Sequence, residues 1–310
     1  MRKMVKALHR YHPFVLLLYY LGATTLVMLY KHPVFLLIGV LILAFFSFQV
    51  SKQWKFRSWF VMLILLVVMF LIINPLVDRR GTHILFYLRH NPIMLEGFIH
   101  GLILALSIFT LMVLFSSYNE IVTADRFLFL FSKWLPQWAL LTMLAMRFVP
   151  LLKARLKEIE TVQQGKGLSV KEGKLKERMR HGLLLVQILL TWSLEDAIQT
   201  ADSMAARGYG LNKRSKYTPY YMTASDWLAV FIIVVIFAIG VFGWWLGDGV
   251  LTIYPVLETM IIQGREWFYL VIFNVYLGLP LIAAGREAMK WRTWKQKTSF
   301  SNTQIQNSTY

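Results

Sequence analysis

Six stretches of this chain are dominated by apolar residues: 14–30, 33–50, 58–77, 93–115, 227–246 and 267–285. At about 1.5 Å of helix per residue, each is long enough for a hydrocarbon layer of about 30 Å. The pattern predicts six membrane-crossing helices. Trp59, Trp227, Trp244, Trp245 and Trp267 fall near their ends, where amphipathic rings prefer the interface. Gly22-Ala23-Thr24-Thr25 offers a small-residue face to a close helical neighbour, and packing within the chain is the favoured use.

Between the fourth and fifth stretches the rhythm changes. Residues 127–149 are apolar, but Lys133, Pro136, Gln137 and Arg147 interrupt them, which predicts a helix pair lying at the membrane surface. Leu141, Leu144, Phe148, Leu152, Leu156, Ile159 and Gln163 then step by three and four, the spacing of one helical face. Pro150 should kink that helix, and Gly165 and Gly167 should end it. Ser169 and Glu172 read as a capping box opening another helix. Its face runs through Met179, Leu183, Val186, Leu190, Leu194, Ile198, Ala201 and Ala205. The two helices are expected to pack stripe against stripe, or to lay their stripes on the membrane. Arg147 suits headgroup contact or a pair with Glu158 or Glu160, and Pro150 suits the bend leaving the membrane surface.

Each of these helices ends in a small, basic, glycine-closed tip. The first reads Gln163-Gln164-Gly165-Lys166-Gly167 and the second Ala205-Ala206-Arg207-Gly208. Two alanines leave the second helix end thin. Its one guanidinium sits where the helix dipole favours a cation, a shape suited to a groove on another protein.

Charge fixes the predicted orientation. The chain carries 33 Lys and Arg against 16 Asp and Glu, with 57% hydrophobic residues. With the N-terminus inside, segments 1–13, 51–57, 118–226 and 286–310 hold 28 of the basic residues, and the outer segments hold 5. That asymmetry places both termini in the cytoplasm. It also removes a nucleic-acid reading, because the charge lies along membrane flanks. The chain has no cysteine, which excludes disulfides and thiol chemistry. The basic start followed by an apolar run reads as a retained first helix rather than a cleaved leader. The expected layout is residues 1–117 as four spans, 118–226 as a cytoplasmic and interfacial module, 227–285 as two further spans, and 286–310 as a basic juxtamembrane segment with a polar, disordered tail from Thr298.

The chain resembles the transmembrane (T) component of energy-coupling factor transporters, the family that includes the membrane subunit of cobalt and nickel uptake systems. The likeness rests on Asn74-Pro75 with Gly81, Glu96-Gly97, Leu135-Pro136, the run Met146-Arg147-Phe148-Val149-Pro150-Leu151-Leu152, Glu158 and Glu160, and Ala206-Arg207-Gly208. Two departures stand out. Gly165-Lys166-Gly167 occupies the place of a first Ala-Arg-Gly, and Ser107 stands where an arginine is expected. The resemblance implies an all-α scaffold in a bacterial cell membrane. In it each tip docks into one of two cassette ATPases, and the scaffold carries a small membrane-embedded substrate-binding (S) protein for a vitamin or metal ion. It implies that this chain binds no cofactor and catalyses nothing, ATP and Mg belonging to the ATPases. The sequence carries no phosphate-cradling glycine loop of the P-loop pattern.

Two rival readings come from other classes. Glu96 and His100 lie one helical turn apart with His83 and His90 upstream, a spacing that can share a metal in an intramembrane hydrolase. A stand-alone carrier would show ionisable residues deep in several spans, yet 14–30, 33–50 and 227–246 hold no Asp, Glu, Lys or Arg.

Overall fold

A computed structural model describes residues 8, 10–50, 56–77, 81, 83–88, 91–132, 134–168, 174–211, 220–253, 261–262 and 264–307. The element order is α1 (Pro13–Leu29), α2 (Pro33–Val50), α3 (Phe56–Val77), β1 (Ile84–Leu88), β2 (Asn91–Met94), α4 (Leu95–Ile121), α5 (Ala124–Phe131), α6 (Pro136–Gly165), α7 (Leu175–Ala206), α8 (Ala224–Trp245) and α9 (Glu266–Asn307). Five of the described helices are long and apolar enough to cross a membrane, and α1 is a shorter apolar helix. The protein is an all-α polytopic membrane protein with one small antiparallel hairpin, β1–β2. The chain divides into two compact units, 1–123 with 220–310 and 124–219.

The first unit owes its core to aromatic rings and glycines. Tyr19 stacks on Tyr276 and Tyr30 on Phe35. Buried hydroxyls find backbone acceptors: Tyr30 Oη donates to the Gly240 carbonyl at 2.7 Å and Tyr19 Oη to that of Leu277 at 2.9 Å. In lipid such a partner matters, since no water is at hand to replace it. Gly22 faces Tyr276 and Phe237, where a Cβ would collide with the phenol. The small-residue face thus packs inside the chain.

Residues far apart in sequence meet where α3 approaches α4. Gly97 lies against the Pro75 backbone, and a Cβ on Gly101 would come within 2.6 Å of the Phe70 carbonyl oxygen. Gly97 and Gly101 are a small-xxx-small pair that lets two helix backbones close up. Glu96, in the first turn of α4, is fully buried. Its Oε1 accepts from the His83 backbone N–H at 3.1 Å and lies 3.1 Å from His83 Nδ1. Gly81, at φ +151°, leaves room for that carboxylate. Asn74, Pro75, Gly81, Glu96 and Gly97 therefore form one joint that ties the loop before the hairpin to the start of α4.

The second unit is built from α5, α6 and α7. The apolar stretch 127–149 divides between α5 and α6. Helix α6 runs through Pro150 as one element rather than ending there; the ring removes one donor, leaving the Met146 carbonyl without its usual partner. Helix α7 begins at Leu175, where the Glu177 carboxylate accepts from the Lys174 N–H at 3.1 Å. The capping box expected at Ser169 and Glu172 lies outside the described residues, as do His90 and Lys133. Helix α9 continues through Thr298 to Asn307, where the polar composition suggests disorder. No glycine or proline follows Gly285 to stop it.

Candidate functional site

The face of α7 that packs on α6 is not the expected stripe. His181, Leu185, Ile188, Trp192, Asp196 and Thr200 are the less exposed positions, with Leu185 at 6%. The predicted stripe is the open one, with Leu183 at 68% and Ile198 at 64% exposed and Met179, Leu190 and Leu194 alongside. The physical reason is that residues 183–190 are apolar nearly all round. Such a helix has two candidate faces, and the partner decides between them. On α6 the expected stripe does turn inward in part: Leu144, Phe148, Leu152 and Ile159 are half-buried and Gln163 is buried. Between the helices, the Arg155 guanidinium lies 5.0 Å above the Trp192 ring, a cation–π contact. Neither Trp192 nor Leu185 stood out in the sequence; the bulk of Trp192 beside Ile188 was the available signal.

The two tips share one backbone. At the end of α7, Gly208 N–H donates to the Ala205 carbonyl at 2.9 Å and Tyr209 N–H to that of Met204 at 3.1 Å. At the end of α6, Gly167 N–H donates to Gln164 and Leu168 N–H to Gln163, both at 3.0 Å. Each is a Schellman closure, which needs a left-handed residue after the last helical turn. Gly208 at φ +77° and Gly167 at φ +80° supply it. The hydrogen bonds fix the correspondence: Lys166 stands for Arg207, Gly165 for Ala206, and Leu168 for Tyr209. The hydrophobic residue after each closing glycine, Leu168 and Tyr209, was not singled out in the sequence, although a Schellman closure commonly carries one there.

Surroundings separate the tips. Gln163, Lys166 and Leu168 line a groove of about 590 Å³ with Leu184, Gln187, Ile188, Thr191, Trp192 and Glu195 of α7, so the first tip lies beside the middle of α7. A Cβ built on Gly165 or Gly167 meets nothing within 4 Å, and one on Gly208 meets only Leu211 at 3.8 Å. Arg207, Ala205 and Ala206 are exposed. Lys166 and Arg207 each stand at a helix C-cap position, where the helix dipole favours a cation.

Further back on α6, Glu158 Oε2 pairs with Arg155 at 2.7 Å and Glu160 Oε1 accepts from Gln164 Nε2 at 3.2 Å. Glu160 thereby steadies the first tip, and Glu158 steadies the guanidinium that lies on Trp192. Arg147 and Pro150 are exposed on α6, one turn apart, and Glu158 and Glu160 lie further along that same helix rather than on a neighbouring one.

The candidate metal cluster resolves differently. Glu96 and His83 do meet, as the joint already described. Among the described residues no three His, Cys, Asp or Glu side chains are arranged to hold one ion.

A family model described as cobalt transport protein, CbiQ, matches residues 4–218. The chain is 33% identical over 106 residues to the uncharacterized protein MG181 of Mycoplasma genitalium, covering 34% of this chain and 25% of that one. It is 34% identical over 92 residues to the energy-coupling factor transporter transmembrane protein EcfT of Lacticaseibacillus paracasei, covering 29% of this chain and 35% of the relative. A second EcfT, from Bacillus selenitireducens, is 34% identical over 98 residues, covering 31% and 37%. The matched segments span from a quarter to somewhat over a third of these relatives.

Proposed function

Because this chain belongs to the cobalt transport protein family, CbiQ, we propose that it is the non-catalytic coupling subunit of an energy-coupling factor importer. In this reading two cassette ATPases bind ATP and Mg on the cytoplasmic side of the cell membrane. One receives the tip at Ala205, Ala206, Arg207 and Gly208; the other receives Gln163, Gln164, Gly165, Lys166 and Gly167. Nucleotide binding draws the ATPases together and hydrolysis parts them. The rigid helices α6 and α7 carry that displacement to a membrane-embedded S protein, which reorients and releases a vitamin or metal ion inside. The exposed apolar face of α7, Leu183 to Ile198, is a surface available to the membrane or to that protein.

The observation that supports this reading best is the repeated closure. Two unrelated helix ends adopt the same Schellman geometry and place one cation at the same position. The closure alone is common at helix ends; what matches a machine with two similar ATPases is the same closure with a cation at the same position on two exposed ends of one unit. The chemistry fits as well: a guanidinium presents a planar fork to a carboxylate, and breaking such a pair at a buried interface costs about 2–5 kcal/mol.

Reconstitution tests the reading. Vesicles carrying this chain with its ATPases and S protein are expected to take up substrate on ATP, and vesicles carrying this chain alone are expected to be inert. Uptake or turnover by the chain alone would refute the proposal and restore the carrier or hydrolase readings.

A further inference from the structure

The second unit opens with an elbow whose surface does not suit water. Helix α5 ends at Phe131 and α6 begins at Pro136. Between them Trp134 is 84% exposed, and Trp138 in the first turn of α6 is 66% exposed. Phe127 and Phe131 of α5 are exposed side by side, their rings 4.6 Å apart. Further along α6, Leu141, Met143, Met146 and Val149 are exposed as well. At about 100° per residue, Leu141, Trp138, Val149, Met146 and Met143 spread over roughly 200° of the helix. A single partner helix covers one stripe and would leave much of that arc in water. An apolar solvent covers all of it.

The polar groups of the elbow are met from within. The Ser132 N–H and Oγ donate to the Leu128 and Phe129 carbonyls at 2.8 and 2.7 Å. The Trp134 and Leu135 N–H groups both donate to the Phe131 carbonyl, at 3.0 and 2.9 Å. Pro136 opens α6 without an N–H to satisfy. Thr142 Oγ1 donates to the Trp138 carbonyl at 2.8 Å. A hydrocarbon boundary demands such closure, since an unmet donor there has no water to turn to. An indole adds an apolar body and one donor, the combination that draws Trp to membrane interfaces.

Charge points the same way. From Phe127 to Lys157 the sequence holds Lys133, Arg147, Lys153, Arg155 and Lys157 and no Asp or Glu. Arg155 is engaged by Glu158; Arg147, Lys153 and Lys157 are exposed. An anionic leaflet attracts basic segments of this kind, and the orientation expected from the charge count puts this one on the cytoplasmic side. Despite its 30 residues, α6 is not among the described helices apolar enough to cross the membrane.

We propose that the elbow is a membrane anchor. Trp134, Trp138, Phe127 and Phe131 sit where headgroups meet acyl chains in an anionic leaflet. Helix α6 lies along that surface as far as Val149, and Arg147 and Lys153 reach the phosphates. This narrows the surface helix pair expected over 127–149 to named side chains and one class of lipid. The anchor holds the end of α6 opposite the first tip, so lipid fixes the root of the helix and leaves Lys166 to move.

The chain has no cysteine, so one introduced cysteine carries a nitroxide without competition. Trp138→Cys and Met143→Cys report on the elbow; the second keeps both tryptophans and decides the question if the first does not fold. Thr161→Cys, exposed on the same helix, is the reference. The labelled full chain is reconstituted, alone and with its partners, in phosphatidylcholine vesicles with and without phosphatidylglycerol. With phosphatidylglycerol, collision with membrane-soluble oxygen is expected to exceed collision with a water-soluble nickel chelate at 138 and 143, and the order is expected to reverse at 161. Adding Arg147→Gln/Lys153→Gln, or omitting phosphatidylglycerol, is expected to remove about half or more of the oxygen excess. The pattern should persist without ATPases or S protein, while ATP-driven uptake by the complex reports separately on the coupling reading. Nickel contact at 138 and 143 equal to that at 161 would overturn the proposal. So would an oxygen excess indifferent to phosphatidylglycerol, or protection from both reagents, which would mean that protein covers the elbow.

Discussion

The two tips have the same backbone and different chemistry. Lys166 and Arg207 occupy one geometric position, each before a glycine near φ +80°. At the second tip two alanines precede a guanidinium at the free end of α7. At the first, Gly165 precedes an ammonium, and the turn lies beside Trp192 and Glu195 in a groove of its own unit. The conserved element between the two is thus the shape of the closure. The variable elements are the fork that reads a carboxylate, the stiffness of the last turn, and how much of the tip stands clear. Under the proposed function, this difference predicts two unequal ATPases, or one ATPase held unequally.

The largest effect is expected from reversing charge at the stronger tip. Arg207→Glu should weaken ATPase attachment about 30-fold or more, from the lower end of the cost of a broken interfacial charge pair. The membrane unit should stay folded, as checked by co-purification and circular dichroism. Lys166→Glu should cost less, because an ammonium makes no bidentate contact. If both variants lose equally, the tips are equivalent and the comparison fails.

A second expectation concerns the backbone alone. Gly208→Val and Gly167→Val both force a β-branched residue into the left-handed region, at a cost of about 1–2 kcal/mol or more. Because the closures match, the strain should match: amide exchange at Tyr209 and Leu168 should rise to the same extent in the two variants. Unequal exchange would show that the closures differ in solution.

Two smaller changes should make the first tip resemble the second. Lys166→Arg should strengthen its ATPase attachment several-fold, read as slower dissociation. Gly165→Ala places a Cβ where nothing lies within 4 Å. It should stiffen the last turn by up to about 1 kcal/mol, seen as slower amide exchange at Lys166 and Gly167. Destabilisation by Gly165→Ala would mean that the first tip works by being loose.

Much of this was legible from residue order. The apolar stretches fall on α1, α2, α3, α4, α8 and α9, with ends shifted by up to three residues except that α4 runs on to Ile121 and α9 to Asn307. Gly167 and Gly208 mark the helix ends, because a left-handed closing residue is a local demand that one residue type meets. What was not legible depends on partners across space. The α7 stripe was read as packing on α6 or lying on the membrane; it is not the face turned to α6, since 183–190 is apolar on both sides and only α6 chooses between them. Glu96 looked like half of a metal pair; that it accepts from His83 and sits against Gly81 required the loop before the hairpin to fold back. Asp226 drew no notice as one acidic residue before an apolar run, yet it ties Thr223 to His12 across more than 200 residues of chain. Pro150 was read as a bend inside its helix, and α6 does run through it as one element.

The most direct test is the mass of the intact complex, measured by native mass spectrometry on protein purified with its partners. The account predicts two ATPases per chain in the wild type and one in Arg207→Glu, with the remaining copy lost when Lys166→Glu is added. Two ATPases retained in the double variant would contradict it.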